Sequence, residues 1–224
     1  MDVYLEIGQK KTFAGAVHWP GWSRSGRDEE SALEALLAYG PRYASVVQGT
    51  GPRPEFKAPG DPSAFRVVER LEGNATTDFG APGIPPRADA RPVDDAELER
   101  FKALLSAYWR AFDAARNAAI GHELRKGPRG GGRELEGIVE HLLGADAGYL
   151  SSLGWKLDKD KAPDQDGELR RVRAAVLEAL PAAAHGELPA RGPRGGERWP
   201  LRYYVRRAGW HTLDHLWEIE DRVE

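Results

Sequence analysis

Apolar and polar residues alternate at the start of the chain. Val3, Leu5 and Ile7 stand against Tyr4, Glu6 and Gly8, the period of two that a half-buried strand requires. Gln9-Lys10-Lys11 supplies a polar turn and Thr12 to Val17 a second short strand, so the pair predicts a hairpin. Pro20-Gly21 breaks the run. After Ser25-Gly26, Asp28 caps a predicted helix with apolar Ala32, Leu33, Leu36, Leu37 and Tyr39, and Gly40-Pro41 predicts its end. Residues 49–63, rich in Gly, Pro and charge, predict a loop, and Phe65 to Leu71 a further strand. Residues 73–92 hold four prolines, three glycines and few large apolar groups. They predict a linker, or a long loop that lies over another part of the chain.

From Asp94 the apolar period changes to 3.6. Leu98, Phe101, Leu105, Tyr108, Trp109 and Phe112 predict a first long helix from about Asp94 to His122. Leu135, Ile138, Val139, Leu142, Leu143, Tyr149 and Leu150 predict a second, from about Arg133 to Leu153. Leu169, Val172, Val176, Leu177 and Leu180 predict a third, from about Glu168 to Ala184. Leu201, Tyr204, Val205, Ala208, Leu213, Leu216 and Ile219 predict a fourth, from about Pro200 to Val223. Four such stripes cannot be buried singly, and a four-helix bundle is the simplest solution. The expected fold class is α+β: a small β–α module over residues 1–72, a linker or covering loop over 73–93 and a bundle over 94–224.

Composition narrows the chemistry. The chain has 224 residues, enough to bury a core without staples, and no cysteine. Disulfides, thiolate metal sites, Fe–S clusters and a cysteine nucleophile are therefore excluded. The net charge of −3 gives no global field for nucleic acid or anionic membrane. Arg170, Arg171, Arg173, Arg202, Arg206 and Arg207 lie among acids and read as solvated helix faces. No apolar run approaches the roughly 20 residues of a membrane span. Met1-Asp2-Val3-Tyr4-Leu5-Glu6 lacks a basic-then-apolar signal, so a cytoplasmic protein is expected.

Three of the six histidines have ordinary explanations. His122 and His185 fall in the last turns of predicted helices, and His18 at a strand end beside Trp19. The other three differ. His211 and His215 are four residues apart on the fourth long helix, so they stack on one face and can share a metal ion. His141 sits mid-way along the second, beside its apolar stripe. If those two helices face each other, three imidazoles converge. Glu218 lies on the same face as His211 and His215, as a fourth ligand, an outer acceptor or a proton acceptor. The alternative is a pair of core-edge histidines bonded to Asp214 and Glu218.

These residues carry a resemblance. WHTLDHLWEIEDR (Trp210 to Arg222), with Gly137-Ile138-Val139-Glu140-His141-Leu142-Leu143 and Tyr149-Leu150, resembles the DinB family over residues from about 94 to 224. The resemblance implies an up-down-down-up bundle whose second and third helices run parallel. It implies a divalent metal, zinc or nickel first, held by His141, His211 and His215 with one position open to water. It implies a transferase or isomerase that uses a low-molecular-weight thiol. On that hypothesis Glu218 is an outer or acid/base group, and Arg206 or Arg207 meets an anionic substrate or cofactor. A homodimer acting on a small molecule is the implied assembly, and the loop at 73–92 is expected over the metal end.

Residues 2–44 resemble the HicB pattern of strand, Pro-Gly turn, Gly and Glu-Glu-Ala helix, carried by Trp19-Pro20-Gly21-Trp22, Gly26 and Glu29-Glu30-Ser31-Ala32. Ser31 stands where the pattern has Ala, and no helix-turn-helix follows, so the fold alone is carried over. A second reading of function is thus non-enzymatic: a regulatory or stress-related protein whose module docks a partner. Gly-Pro-Arg-Gly-Gly occurs at 127–131 and 192–196, each before a helix. Neither copy has the Lys-Ser/Thr of a phosphate loop, so both read as turns. Trp155, Trp210 and Trp217 either wall an apolar pocket or fill the core.

Overall fold

The alternation at the start of the chain produces a mixed four-stranded sheet. Strands β1 (Asp2–Ile7) and β2 (Thr12–Ala16) form the antiparallel hairpin, with Val3 opposite Ala16 and Ile7 opposite Thr12. Strand β3 (Ser23–Gly26) pairs antiparallel with β2, and β4 (Arg66–Glu72) parallel with β1, giving the order β3-β2-β1-β4. The structure, a computed structural model, describes residues 1–49, 55–126, 132–192 and 195–224. The first Gly-Pro-Arg-Gly-Gly copy and part of the second and of the 49–63 loop lie outside them. Of the second copy, Gly192 and Gly196 are joined by a bond from the Gly192 amide to the Gly196 carbonyl at 3.0 Å.

Helix α1 (Glu29–Ala38) begins at Asp28, whose carboxylate accepts the Ser31 amide while the Ser31 hydroxyl accepts the Asp28 amide. It does not end the helical run. Gly40-Pro41 opens a second helix, α2 (Gly40–Val47), because proline suits a first helical turn as well as it suits a stop. β3 was likewise unforeseen: Ser-Arg-Ser-Gly has no apolar alternation, and the strand exists through its backbone pairing to β2.

Residues 73–93 are a covering segment. Helix α3 (Ala75–Phe79) starts at Asn74, and a short 3-10 turn spans Arg87–Ala90. The buried Glu6 carboxylate of β1 draws the segment down, accepting the Thr77 hydroxyl at 2.5 Å and the Gly83 and Ile84 amides at 2.8 and 3.1 Å. Its hydrogen bonds run to the sheet and to Arg202 and Arg206 and, among the described residues, none to the three histidines, while Ala81 packs with Phe13 and Trp210, so it reaches the expected metal end only through Trp210.

Four long helices follow: α4 (Asp95–Ala119), α5 (Leu135–Leu153), α6 (Gln165–Ala184) and α7 (Leu201–Arg222). α7 packs on α4 and α5, and α6 on α5 and α4. Paired residues fix the directions. Glu97 meets Arg202 at one end and Leu124 meets Val223 at the other, so α4 and α7 run parallel. Arg173 pairs with Asp113 and Arg116 with Asp166, so α4 and α6 run opposed. Gln165 donates to the Glu136 carbonyl, placing the starts of α5 and α6 together. No helix among the described residues is long and apolar enough to cross a membrane.

Sheet and helices share one apolar core, which includes Val3, Leu5, Trp22, Leu36, Tyr108, Leu142 and Leu216. The turn at Trp19-Pro20-Gly21-Trp22 is wedged against α4 and α7. Gly21 has φ 95°, a conformation glycine adopts without strain. A Cβ on Gly209 of α7 would lie 2.8 Å from the Tyr108 ring. The Pro20 carbonyl accepts the Tyr108 hydroxyl at 2.6 Å, and Tyr108 and Tyr43 share a hydrogen bond at 2.8 Å.

Arg206 is the polar pin of this junction. It was expected to meet a ligand, but its guanidinium is buried and fully engaged: two bonds of 2.8 Å to Asp89, and bonds of 2.7 and 3.0 Å to the Ala16 and Val17 carbonyls. Removing one partner of a buried pair strands the other charge, at about 3–5 kcal/mol. Arg206→Met is therefore expected to lower the free energy of urea unfolding by about that amount. Adding Asp89→Asn should restore part of it. Wild-type stability in Arg206→Met would show that the pin holds nothing.

Candidate metal centre

α7 places His211 and His215 one turn apart, and α5, running the opposite way across it, brings His141 to the same point. The three Nε2 atoms converge. His211 Nε2 lies 3.1 Å from that of His141 and 3.1 Å from that of His215, and the three ligand nitrogens lie within 4.8 Å of one another. His211 and His215 are buried and His141 is half-buried, so the cluster meets solvent on its α5 side. Among the described residues it is the only group of three or more His, Asp or Glu side chains so arranged.

Glu218 fixes the tautomer of His215. Its carboxylate lies 2.7 Å from His215 Nδ1 and also accepts Arg222 Nη1 at 2.5 Å. The His215 N–H and Arg222, working against burial, hold the carboxyl below its usual range. An ionised carboxylate only accepts, so Nδ1 carries the proton and the lone pair of Nε2 faces the cluster. Glu218 is thus an outer acceptor that orients a histidine. With both oxygens engaged it is not a free acid/base group, and the catalytic role expected for it is corrected on that ground. Asp214 does not reach the histidines. It pairs with Arg24 of β3 at 2.8 Å.

In a neutral His215 the Nε2 presents a lone pair, and hydrogen bonds among the three rings then satisfy the cluster poorly. If His211 Nε2 donates to that lone pair, His211 has no lone pair left for His141. If His141 donates to His211, two lone pairs face each other between His211 and His215. A shared cation removes the conflict. Two nitrogens at about 2.0–2.1 Å from a tetrahedral ion stand about 3.3 Å apart, close to the spacing found. Burial above all pushes His211 down to about 2, and burial and Arg133 lower His141. Both imidazoles are therefore neutral, as ligands must be. The residues fit a divalent metal. His211 Nδ1 is buried without a hydrogen-bond partner, so this ring lacks the outer acceptor that His215 has.

Aromatic rings wall the site. Tyr149 lies 5.8 Å from the His211 ring, and Trp210 stacks on it at 5.8 Å. Trp199 packs on Tyr149, while Trp217 packs away from the site against Tyr39. Arg207, one turn before His211, lies over both Trp210 and Tyr149. His122 and His185 stay apart from the cluster, bonded to the Glu224 carbonyl and the Asp95 carboxylate.

Sequence reasoning missed Arg222, although its i, i+4 spacing from Glu218 is a readable signal. It also missed Asp146 and Tyr204. Asp146 sits on α5 one turn past the histidine face. Burial pushes its carboxyl up to about 7, with Arg173 pulling weakly the other way, and the nearby Tyr204 hydroxyl is buried without a partner. No pattern marks such a group, because an isolated Asp on a helix reads as surface.

The chain matches no family model, no curated protein and no solved structure.

Asp146 and His211 act on stability in opposite senses. Asp146 has a folded pKa above its ordinary 3.8, so it costs nothing below that pH and destabilises progressively as pH rises to about 7. His211 has a folded pKa below its ordinary 6.5, so the contribution of its neutral form is complete above that pH and is lost as pH falls. Asp146→Asn is expected to melt higher than wild type at pH 8, with the difference shrinking toward pH 4. A constant difference across that range would show that the carboxyl does not titrate in the fold.

Proposed function

We propose that the chain is a divalent-metal protein of the DinB type. In this reading His141, His211 and His215 hold the ion and α4–α7 form an up-down-down-up bundle. The observation that carries it is the meeting of three Nε2 atoms, those of His141 and His215 each 3.1 Å from that of His211, with the Glu218 carboxylate on Nδ1 of His215. The helix pairings and the motif from Trp210 to Arg222 support it. A bound cation supplies a Lewis acid that can hold a small thiol as thiolate at neutral pH. The chain supplies the rest: neutral imidazoles, an aromatic wall from Tyr149 and Trp210, and an approach beside half-buried His141. A cysteine-free chain would borrow its thiol, and the reaction class is transfer or isomerisation of a small molecule, in a cytoplasmic homodimer. The HicB-like β–α module is read as a structural buttress. Its Trp19–Trp22 turn, Tyr43 and Arg24 are engaged with α4 and α7, which disfavours the alternative of a free partner-docking module.

Untagged protein is expected to carry about one divalent ion per chain by elemental analysis, and His211→Ala or His215→Ala to lose it. Chelation should lower the melting temperature, since a ligand at a hundredfold excess over Kd stabilises by about 2.7 kcal/mol. No stoichiometric metal, with unchanged melting in His211→Ala, would overturn the proposal. Glu218→Gln keeps the shape but loses the anionic acceptor, and should weaken metal affinity about 10- to 100-fold while leaving the ligands in place. Undiminished affinity would remove Glu218 from the site.

A further inference from the structure

Arg207 is buried, yet its Nη1 has no hydrogen-bond partner, and among the described residues no carboxylate pairs with it. Its neighbour Arg206 spends every guanidinium nitrogen on Asp89 and two carbonyls. The Arg207 guanidinium lies against two rings, Trp210 with its centroid 4.6 Å away and Tyr149 at 5.2 Å. The same two rings flank His211. The unpartnered Nη1 is the donor left for a ligand.

The surroundings carry surplus positive charge. Arg207 lies one turn before His211 with no carboxylate paired to it among the described residues, and the carboxylate of Glu218 is already shared by His215 and Arg222. A cation on the histidines would add to that surplus. A flat anion that meets the guanidinium edge-on would satisfy the stranded donor and balance the charge. A carboxylate has that shape and pairs with arginine through two parallel bonds.

We propose that Arg207 binds the carboxylate of the ligand whose other end reaches the histidine cluster, so that the site selects carboxylate-bearing small molecules. The inference rests on the metal reading above. Its test uses cobalt-loaded full-length protein, whose absorption reports thiol binding without any turnover. ω-Mercaptocarboxylates of two to six carbons are titrated beside the mercaptoalcohols of equal length. At least one carboxylate is expected to bind about tenfold or more tightly than its alcohol. That preference should collapse toward unity in Arg207→Gln and survive in part in Arg207→Lys, with the alcohols little changed.

Equal affinities at every length in wild type would overturn the proposal, while the cobalt spectrum left the metal site standing. That comparison needs no variant, so it holds even if Arg207→Gln fails to fold. A preference that persists undiminished in Arg207→Gln would also overturn it. Failure to bind cobalt at all would end both readings together.

Discussion

The structure turns on the burial of α7. This helix is enclosed by α4, α5, the sheet and the covering segment, and sixteen of its residues are buried, among them Arg206, Arg207, His211, Thr212 and His215. A polar group in such a place must find a partner or destabilise the fold. Most do. Thr212 donates to the Ala208 carbonyl, Arg206 takes Asp89 and two carbonyls, and His215 takes Glu218. Three polar atoms on this helix are exceptions: the Tyr204 hydroxyl, near Asp146, and Arg207 Nη1 and His211 Nδ1, which lie one turn apart beside the same two aromatic rings. Two of the three thus lie where the histidines meet, and that is the physical reason to look for ligands there.

One constraint explains the layout around that helix. Arg206 and Arg207 are adjacent, so they leave the axis about 100° apart. One reaches the sheet and covering segment, the other the α5 side. The sheet side is closed by Asp89 and the carbonyls of β2 and its following residue. The α5 side is left with an arginine, three imidazoles and aromatic walls. Pinning α7 through Arg206 and the Gly209–Tyr108 contact fixes its rotation, and rotation decides which side chains face α5.

Much of this was legible in the chain. The four long helices lie within a few residues of the periodic apolar runs, because each buries one dominant stripe. The three histidines were found by spacing, since i, i+4 on one helix determines a shared face whatever the fold. What was not legible depended on distance in sequence or on backbone pairing. Ser23–Gly26 is a strand because β2 offers it a partner, not because of its side chains. Gly40-Pro41 reads equally as a stop and as a first turn, and only the packing of Tyr43 and Val47 into the core decides between them. Arg206 and Arg207 look identical on paper. Asp89, more than a hundred residues earlier, separates a structural arginine from a free one.

The division of labour among acids follows the same logic. Glu218 on α7 and Asp146 on α5 are acids that share helices with the histidines. Glu218 is ionised and doubly bonded, so its carboxylate acts through the orientation of His215. Asp146 is held toward its neutral form by burial, with no bond to any histidine among the described residues, so it weighs on stability. Neither is free to exchange protons with a ligand beside His141. The groups of this chain that remain open toward such a ligand are the guanidinium edge of Arg207 and the converging imidazole nitrogens. A site built from cations and neutral bases, with its own carboxylates committed elsewhere, favours ligands that bring the negative charge with them.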